Sequence, residues 1–160
     1  MLLHYLLPVY LIFFGDGNIY SLPENECSAC ISRNVNEHVE FSTPPGEEII
    51  FNKIIREDTV YRVQFMVNCE DFKVRDSAAY LELANGRQIG RVRVPIEVKM
   101  AKSMKKPFIL VAAFDLSRQE IVLLRNFGIE SFAIGKQKCR LENKKQEIFL
   151  KYFKCLTGAG

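Results

Sequence analysis

The stretch Thr59-Val-Tyr-Arg-Val-Gln-Phe-Met-Val-Asn-Cys69 decides the fold. Tyr61, Val63, Phe65, Val67 and Cys69 fall on one face at a period of two, and Arg62, Gln64 and Asn68 fall on the other. That alternation predicts a strand with one face on a core and the other toward water. Working outward, Glu47–Ile55, Phe72–Asp76, Ala78–Ala84, Arg87–Met100, Phe108–Leu116, Ile121–Arg125, Glu130–Ile134 and Glu147–Leu156 carry the β-branched and aromatic content that favours strands. Short strands at near-regular spacing predict an all-β fold, an antiparallel sandwich or barrel in a single domain. No repeat, low-complexity tract or linker divides the chain.

Two segments need separate treatment. Residues 22–46 hold Pro23, Cys27, Cys30, Pro44, Pro45 and Gly46 among polar neighbours, and are expected to be an irregular or edge segment ending in a turn. Ser117 and Glu120 stand at capping-box spacing before Ile121-Val122-Leu123-Leu124, with Gly128 as a C-cap, which is a helix signature. The β-branched Ile121 and Val122 weigh against it, and Asn126-Phe127-Gly128 would equally close a hairpin; the strand reading is preferred.

The chain has 160 residues, enough for one core. Residues 2–14 are almost wholly apolar, too short to span a bilayer as a helix, and are followed by small and polar residues. This predicts a cleaved secretory signal over 1–21, a β-sandwich domain over 22–160 and an extracellular location. No Lys or Arg stands near Met1, so an uncleaved anchor or a buried first strand are the alternatives. No later stretch is apolar and long enough to cross a membrane.

Export places Cys27, Cys30, Cys69, Cys139 and Cys155 in an oxidising compartment, where disulfides are expected. Two bridges and one spare thiol allow five choices of spare, each with three pairings, and spacing does not select among them. Cys27-Ser-Ala-Cys30 has the spacing of a thiol redox motif, but no strand precedes it to set it at a helix N-terminus, so two half-cystines are the simpler reading. A zinc site lacks a second ligand pair, and His38 is the one histidine beyond the signal. His38 lies in a polar stretch where it reads as a solvated side chain rather than a general base. Glu47 with Glu48, and Glu57 with Asp58, are adjacent and point apart instead of facing across a cleft. No enzyme site, metal or cofactor is expected.

Charge is uneven. Residues 22–96 hold nine Lys or Arg against twelve Asp or Glu, and residues 97–160 hold thirteen against six. A basic second half is compatible with an anionic partner such as a sulfated glycan or a lipid surface, but an ordinary solvated rim of lysines is the preferred reading. Nucleic acid is not expected, since no recognition motif is present.

Asn85-Gly86-Arg87 separates two apolar-patterned runs, the pattern of a type I′ hairpin. The order of features from Pro44 onward also resembles the galectin family. A Pro45-Gly46 turn is followed by the alternating Tyr61–Asn68 strand, then Asp76-Ser-Ala-Ala-Tyr-Leu81. After a long polar connection, Lys106-Pro-Phe-Ile-Leu-Val111 leads to Asn126-Phe127-Gly128, similar to that family's Asn-Gly turn. The resemblance implies a jelly-roll sandwich and a galactoside site. In the family's HxNxR and WxxExR pattern, Asn85 and Arg87 match the Asn and Arg of the first motif, and Glu97 and Lys99 answer the Glu and Arg of the second. Leu83 stands in the place of the His and Val94 in that of the Trp, so Tyr61 or Tyr80 would supply the stacking ring. The pleat opposes this arrangement: Leu81 and Leu83 favour the core, and presenting Leu83 outward turns Glu82 inward unless a bulge near Ala84 intervenes.

The expected function is therefore a secreted, non-enzymatic binding module, a divergent galectin-like lectin with Asn85, Arg87 and Glu97 as ligand-binding residues. The alternative is an extracellular protein- or receptor-binding factor that uses the sandwich as a scaffold and its basic half as the contact surface.

Overall fold

Alternation of apolar and polar side chains builds most of the body of this protein. The structure is a computed structural model and describes residues 31–35, 38–43, 48–71, 77–102 and 105–158. In chain order the elements are β1 (Ile31–Val35), β2 (His38–Ser42), β3 (Ile49–Ile55), β4 (Thr59–Cys69), β5 (Ala79–Leu83), β6 (Gln88–Arg91), β7 (Ile96–Met100), β8 (Phe108–Leu116), α1 (Arg118–Phe127), β9 (Ile129–Ile134), β10 (Gln137–Arg140) and α2 (Asn143–Leu156). All strand pairings are antiparallel. The large sheet has six strands in the order β1-β2-β3-β4-β8-β7, and the small sheet has four in the order β10-β9-β5-β6. The fold is an antiparallel β-sandwich, as the alternation predicts.

Strand β4 is the middle of the large sheet, with β3 on one side and β8 on the other. Its Val63, Phe65, Val67 and Cys69 are buried, and cross-strand partners Phe51, Ile49, Ala112 and Leu110 share that inner face. From the small sheet, Ala79, Leu81, Leu83, Ile89, Phe132 and Ile134 complete the same core. The layers meet through aromatic rings: Phe65 lies 5.6 Å from Phe132 across the sandwich and 5.8 Å from Phe114 within its own sheet. Each such ring removes on the order of 150–250 Å² from water, so this cluster carries much of the burial free energy.

The helices correct two expectations. Residues 121–125, expected as a strand, lie inside α1, where the Ser117 hydroxyl accepts from the Glu120 N–H and the Glu120 carboxylate accepts from the Ser117 N–H. The capping box satisfies donors that a helix start otherwise leaves orphaned, and Gly128 ends the helix at φ +65°. Residues 147–156, also expected as a strand, lie in α2. Phe149, Tyr152, Phe153 and Leu156 are its buried residues, a spacing of three, one and three that follows one helical face and not a pleat. Helix α2 packs on β3, β9 and α1, with Phe153 4.7 Å from Phe51. It covers the part of the large sheet's inner face that the narrower small sheet leaves over. The apolar cleft among Phe51, Leu124, Ile129, Phe149 and Phe153 has a volume of about 10 Å³, room for about one water and no organic ligand.

Residues 87–100, expected as one strand, divide into β6 and β7, which belong to opposite sheets. Pro95 and the buried Val94 sit at the crossing. Segment 31–42, within the stretch expected as irregular or edge, supplies β1, an edge strand of the large sheet, and β2 beside it, so His38 lies on a strand. The expected strand at 72–76, the signal at 1–21 and the Cys27–Cys30 motif lie outside the described residues.

Candidate binding face

The Asn85 hairpin is where sequence and structure agree, with a change of turn type. The Leu83 carbonyl accepts from Gly86 N–H, and Leu83 N–H donates to Arg87 O. The loop is therefore Ala84-Asn85-Gly86, one residue longer than a type I′ turn. Gly86 at φ +79° takes the left-handed position that follows the turn. The Asn85 Oδ1 accepts from Arg87 N–H at 3.1 Å, so this side chain is spent on stabilising its own loop.

Asn85 and Arg87 are exposed at that tip, at the β5–β6 end of the small sheet. Glu97 is on β7, the edge of the large sheet, and pairs with Lys99 at 3.4 Å. The structure thus separates Glu97 from Asn85 and Arg87 onto different layers instead of gathering the three on one sheet. Val94, in the place of the stacking Trp, is 5% exposed and belongs to the core. Tyr61 packs against the core with Lys53 Nζ 5.9 Å from its ring centre, so it offers no outer shelf.

The small sheet holds the pleat that side-chain polarity demands. Leu81 and Leu83 are fully buried and Glu82 points outward. A bulge does occur between Glu82 and Leu83 in the pairing with β9, where Leu83 faces Ile129 although Glu82 faces Ser131. The extra residue is Glu130, and the insertion keeps Leu83 and Ile129 on the core side together.

What lies on the outer face of this sheet is a compact polar and aromatic group that motif reasoning did not assemble. Tyr80 stands between Ala133 on β9 and Gly90 on β6, and Lys138 on β10 stands beside Ala133. In the adjacent row, Glu82 stands between Ser131 and Gln88, with Arg140 beside Ser131. Ser131 Oγ donates to Glu82 Oε2 at 2.7 Å and Lys138 Nζ donates to the same oxygen. Arg140 Nη2 donates to Glu130 Oε1 at 2.7 Å.

Electrostatics hold this group in one charge state. The Lys138 ammonium, then the Ser131 hydroxyl, lower the Glu82 pKa, and the Glu82 carboxylate raises that of Lys138. Both of these hydrogen bonds fall on Oε2 of a side chain that is 24% exposed. The arrangement offers a ring flanked by small side chains, a fixed carboxylate and two cationic donors. The period-two register of β5 with its neighbours was the available clue, but it requires strand pairings that sequence alone does not provide.

Among the described residues no group of His, Cys, Asp and Glu is placed to hold a metal ion, and no helix is long and apolar enough to cross a membrane. Cys69 and Cys139 are free thiols, so the expected pair of bridges is not met: only Cys27, Cys30 and Cys155 remain, enough for one. Cys69 is buried, and burial raises its thiol pKa. Cys155 is not among the free thiols. No protein-family model, curated protein or solved structure matches the chain.

Proposed function

We propose that this protein is a secreted, non-catalytic binding module that takes a saccharide on the outer face of its small sheet, around Tyr80. The seating of Tyr80 between Ala133 and Gly90 carries this reading. Gly90 on the β6 side is exposed and has no side chain, so the apolar face of a pyranose can meet the half-buried ring from that side, while Ala133 on the β9 side is fully buried; polar groups beside the ring fix orientation. The Glu82 carboxylate accepts from sugar hydroxyls, while Lys138 and Arg140 donate. The resemblance to the galectin family favours the same class of ligand but puts its contacts on Asn85, Arg87 and Glu97. The division of those residues between two layers favours Tyr80 instead.

Export rests on the apolar leader at residues 2–14, and a disulfide at Cys155 would belong to the oxidising compartment to which that leader directs the chain. Peptide mapping without reductant that recovers Cys155 as an alkylated thiol would count against that compartment.

Titration of neutral and sulfated saccharides against the purified protein tests the reading. Binding weakened about tenfold or more by Tyr80→Ala and by Glu82→Gln, but unchanged by Asn85→Ala, is expected. Binding lost in Asn85→Ala and Arg87→Ala and indifferent to Tyr80→Ala would return the site to the hairpin. Salt-sensitive capture of a protein partner without competition by any sugar would replace the saccharide reading with the scaffold one. Within the basic half, Lys99, Lys138 and Arg140 are each paired with a local acid, three of its thirteen cations, so such a partner would meet chiefly the others.

A further inference from the structure

We infer that β7 is the docking edge for a second copy of this chain, pairing antiparallel with itself about Val98 to join two large sheets into one. Among the described residues β7 pairs with β8 alone and forms the end of its sheet. Ala101 donates its N–H to Pro107 O at 2.7 Å on the β8 side. Hydrogen-bonding direction alternates along a strand, so Lys99 and Glu97 also turn their backbone groups to β8. Ile96, Val98 and Met100 turn theirs outward, where a neighbouring strand would receive them.

The side chains are complementary to their own reversal. In the run Ile96-Glu97-Val98-Lys99-Met100, antiparallel pairing about Val98 sets Glu97 opposite Lys99 of the second copy and Lys99 opposite its Glu97. Ile96 meets Met100 of that copy, and the two Val98 residues meet on the axis. Register and backbone agree, because the facing pairs at 96, 98 and 100 are those with free N–H and C=O groups, each pair exchanging two hydrogen bonds. An isologous interface requires such self-complementarity.

Burial supplies the drive. Val98 and Met100 lie on the inner side of the sheet, in register with Leu110 and Phe108, yet remain 38% and 73% exposed. The small sheet stops short of this edge, so the second copy covers apolar surface that the fold itself leaves wet. The Glu97–Lys99 pair within one strand is exposed on both partners and gives up little when exchanged for pairs across the axis. A contact of five-residue strands is small, which places the dissociation constant on the order of 10–100 μM. Because the axis runs perpendicular to the joined sheet, both Tyr80 faces point to the same side.

Sedimentation equilibrium of the full secreted chain, with circular dichroism and thermal melts to verify folding, tests this. Wild type is expected to be a reversible dimer. Glu97→Lys sets lysine against lysine and should weaken association about tenfold or more, as should Lys99→Glu. The double reversal Glu97→Lys with Lys99→Glu restores complementarity and should recover the dimer, and an equal mixture of the two single variants should form the heterodimer. Val98→Pro, which removes an outward N–H, should give a folded monomer. A wild type that stays monomeric at several times that concentration, a dimer untouched by Val98→Pro, or single reversals that associate as wild type would each overturn the inference. None of these residues belongs to the Tyr80 face, so the result is independent of saccharide binding.

Discussion

The Arg91 guanidinium grips the Glu120 carboxylate with two bonds, Nη1 to Oε1 at 2.7 Å and Nη2 to Oε2 at 3.0 Å. The same guanidinium donates to the Gly90 and Asp115 carbonyls, and its carbon lies 4.9 Å from the centre of the Phe114 ring. Arg91 ends β6 of the small sheet, while Asp115 is the penultimate residue of β8 in the large one and Glu120 lies in the first turn of α1. One side chain therefore ties both layers and the helix that connects them.

This tie predicts an acid dependence of stability. The bidentate bonds from Arg91, aided by the Ser117 amide and hydroxyl, hold the Glu120 pKa at about 2, below the ordinary glutamate range. A depressed carboxylate contributes stability that is complete above its unfolded pKa and drains away as pH falls toward the folded value. Glu120→Gln keeps the capping geometry and removes the charge, so it should cost about 1–2 kcal/mol at pH 7, allowing for the partly exposed Arg91. Urea denaturation of both forms between pH 7 and pH 2 should show the two curves converging as pH approaches 2. A difference that stays constant over that range would remove Glu120 as the responsible group.

Thr43 predicts a loss without any change of charge. It is fully buried at the point where the β2–β3 ladder ends, and its Oγ1 accepts the Phe51 N–H at 2.9 Å while its own N–H donates to Phe51 O. Thr43→Val is close in shape but leaves a buried amide unsatisfied, which costs about 1–3 kcal/mol. Thr43→Ser keeps the acceptor and should lose about 1 kcal/mol for the methyl group. Chemical denaturation ranking Val below Ser confirms the hydrogen bond as the larger contribution; the reverse order would assign the site to packing.

The free thiols should be slow to alkylate. Burial, with the Glu48 carboxylate beside it, pushes the Cys139 pKa up to about 11, so at pH 8 its thiolate fraction is about a hundredfold below that of an unperturbed cysteine. Iodoacetamide labelling of the folded protein should leave Cys139 largely unmodified at pH 8 and speed up steadily toward pH 10. Fast labelling at pH 8 would show that this strand opens readily.

The β4 and β8 stretches were legible because a long run buried on one face writes its own period, and Thr59–Cys69 and Phe108–Leu116 have the bounds expected. Helix α2 was missed for a different reason. Phe149, Tyr152 and Phe153 count as strand formers by type, and only their spacing marks a helix. In α1 the capping box outweighs the β-branched Ile121 and Val122, since two satisfied backbone donors exceed a few tenths of a kcal/mol of propensity. Asn85-Gly86 was legible as local turn chemistry. The assignment of Glu97 to the other layer was not, because a crossing over Val92–Pro95 leaves little mark beyond the proline, and the Tyr80 face depends on pairings such as Tyr80 with Ala133, more than fifty positions apart.

Gly90 brings the fold and the Tyr80 face together in one substitution. A Cβ at this position would lie 2.6 Å from Tyr80 Cβ and 2.7 Å from Ala79 O, so β6 closes on β5 only because the side chain is absent. Replacing a glycine by alanine in a strand ordinarily gains up to about 1 kcal/mol from the unfolded chain. Here the contacts are shorter than atoms allow, and backbone has to move, which costs about 1–3 kcal/mol. The clash wins, and Gly90→Ala should lower the melting temperature while tilting Tyr80 away from β6. Saccharide affinity should fall with it by more than in Asn85→Ala, measured well below the melting transition so that both variants are folded. An unchanged affinity in a folded Gly90→Ala would separate the close approach of these strands from ligand binding.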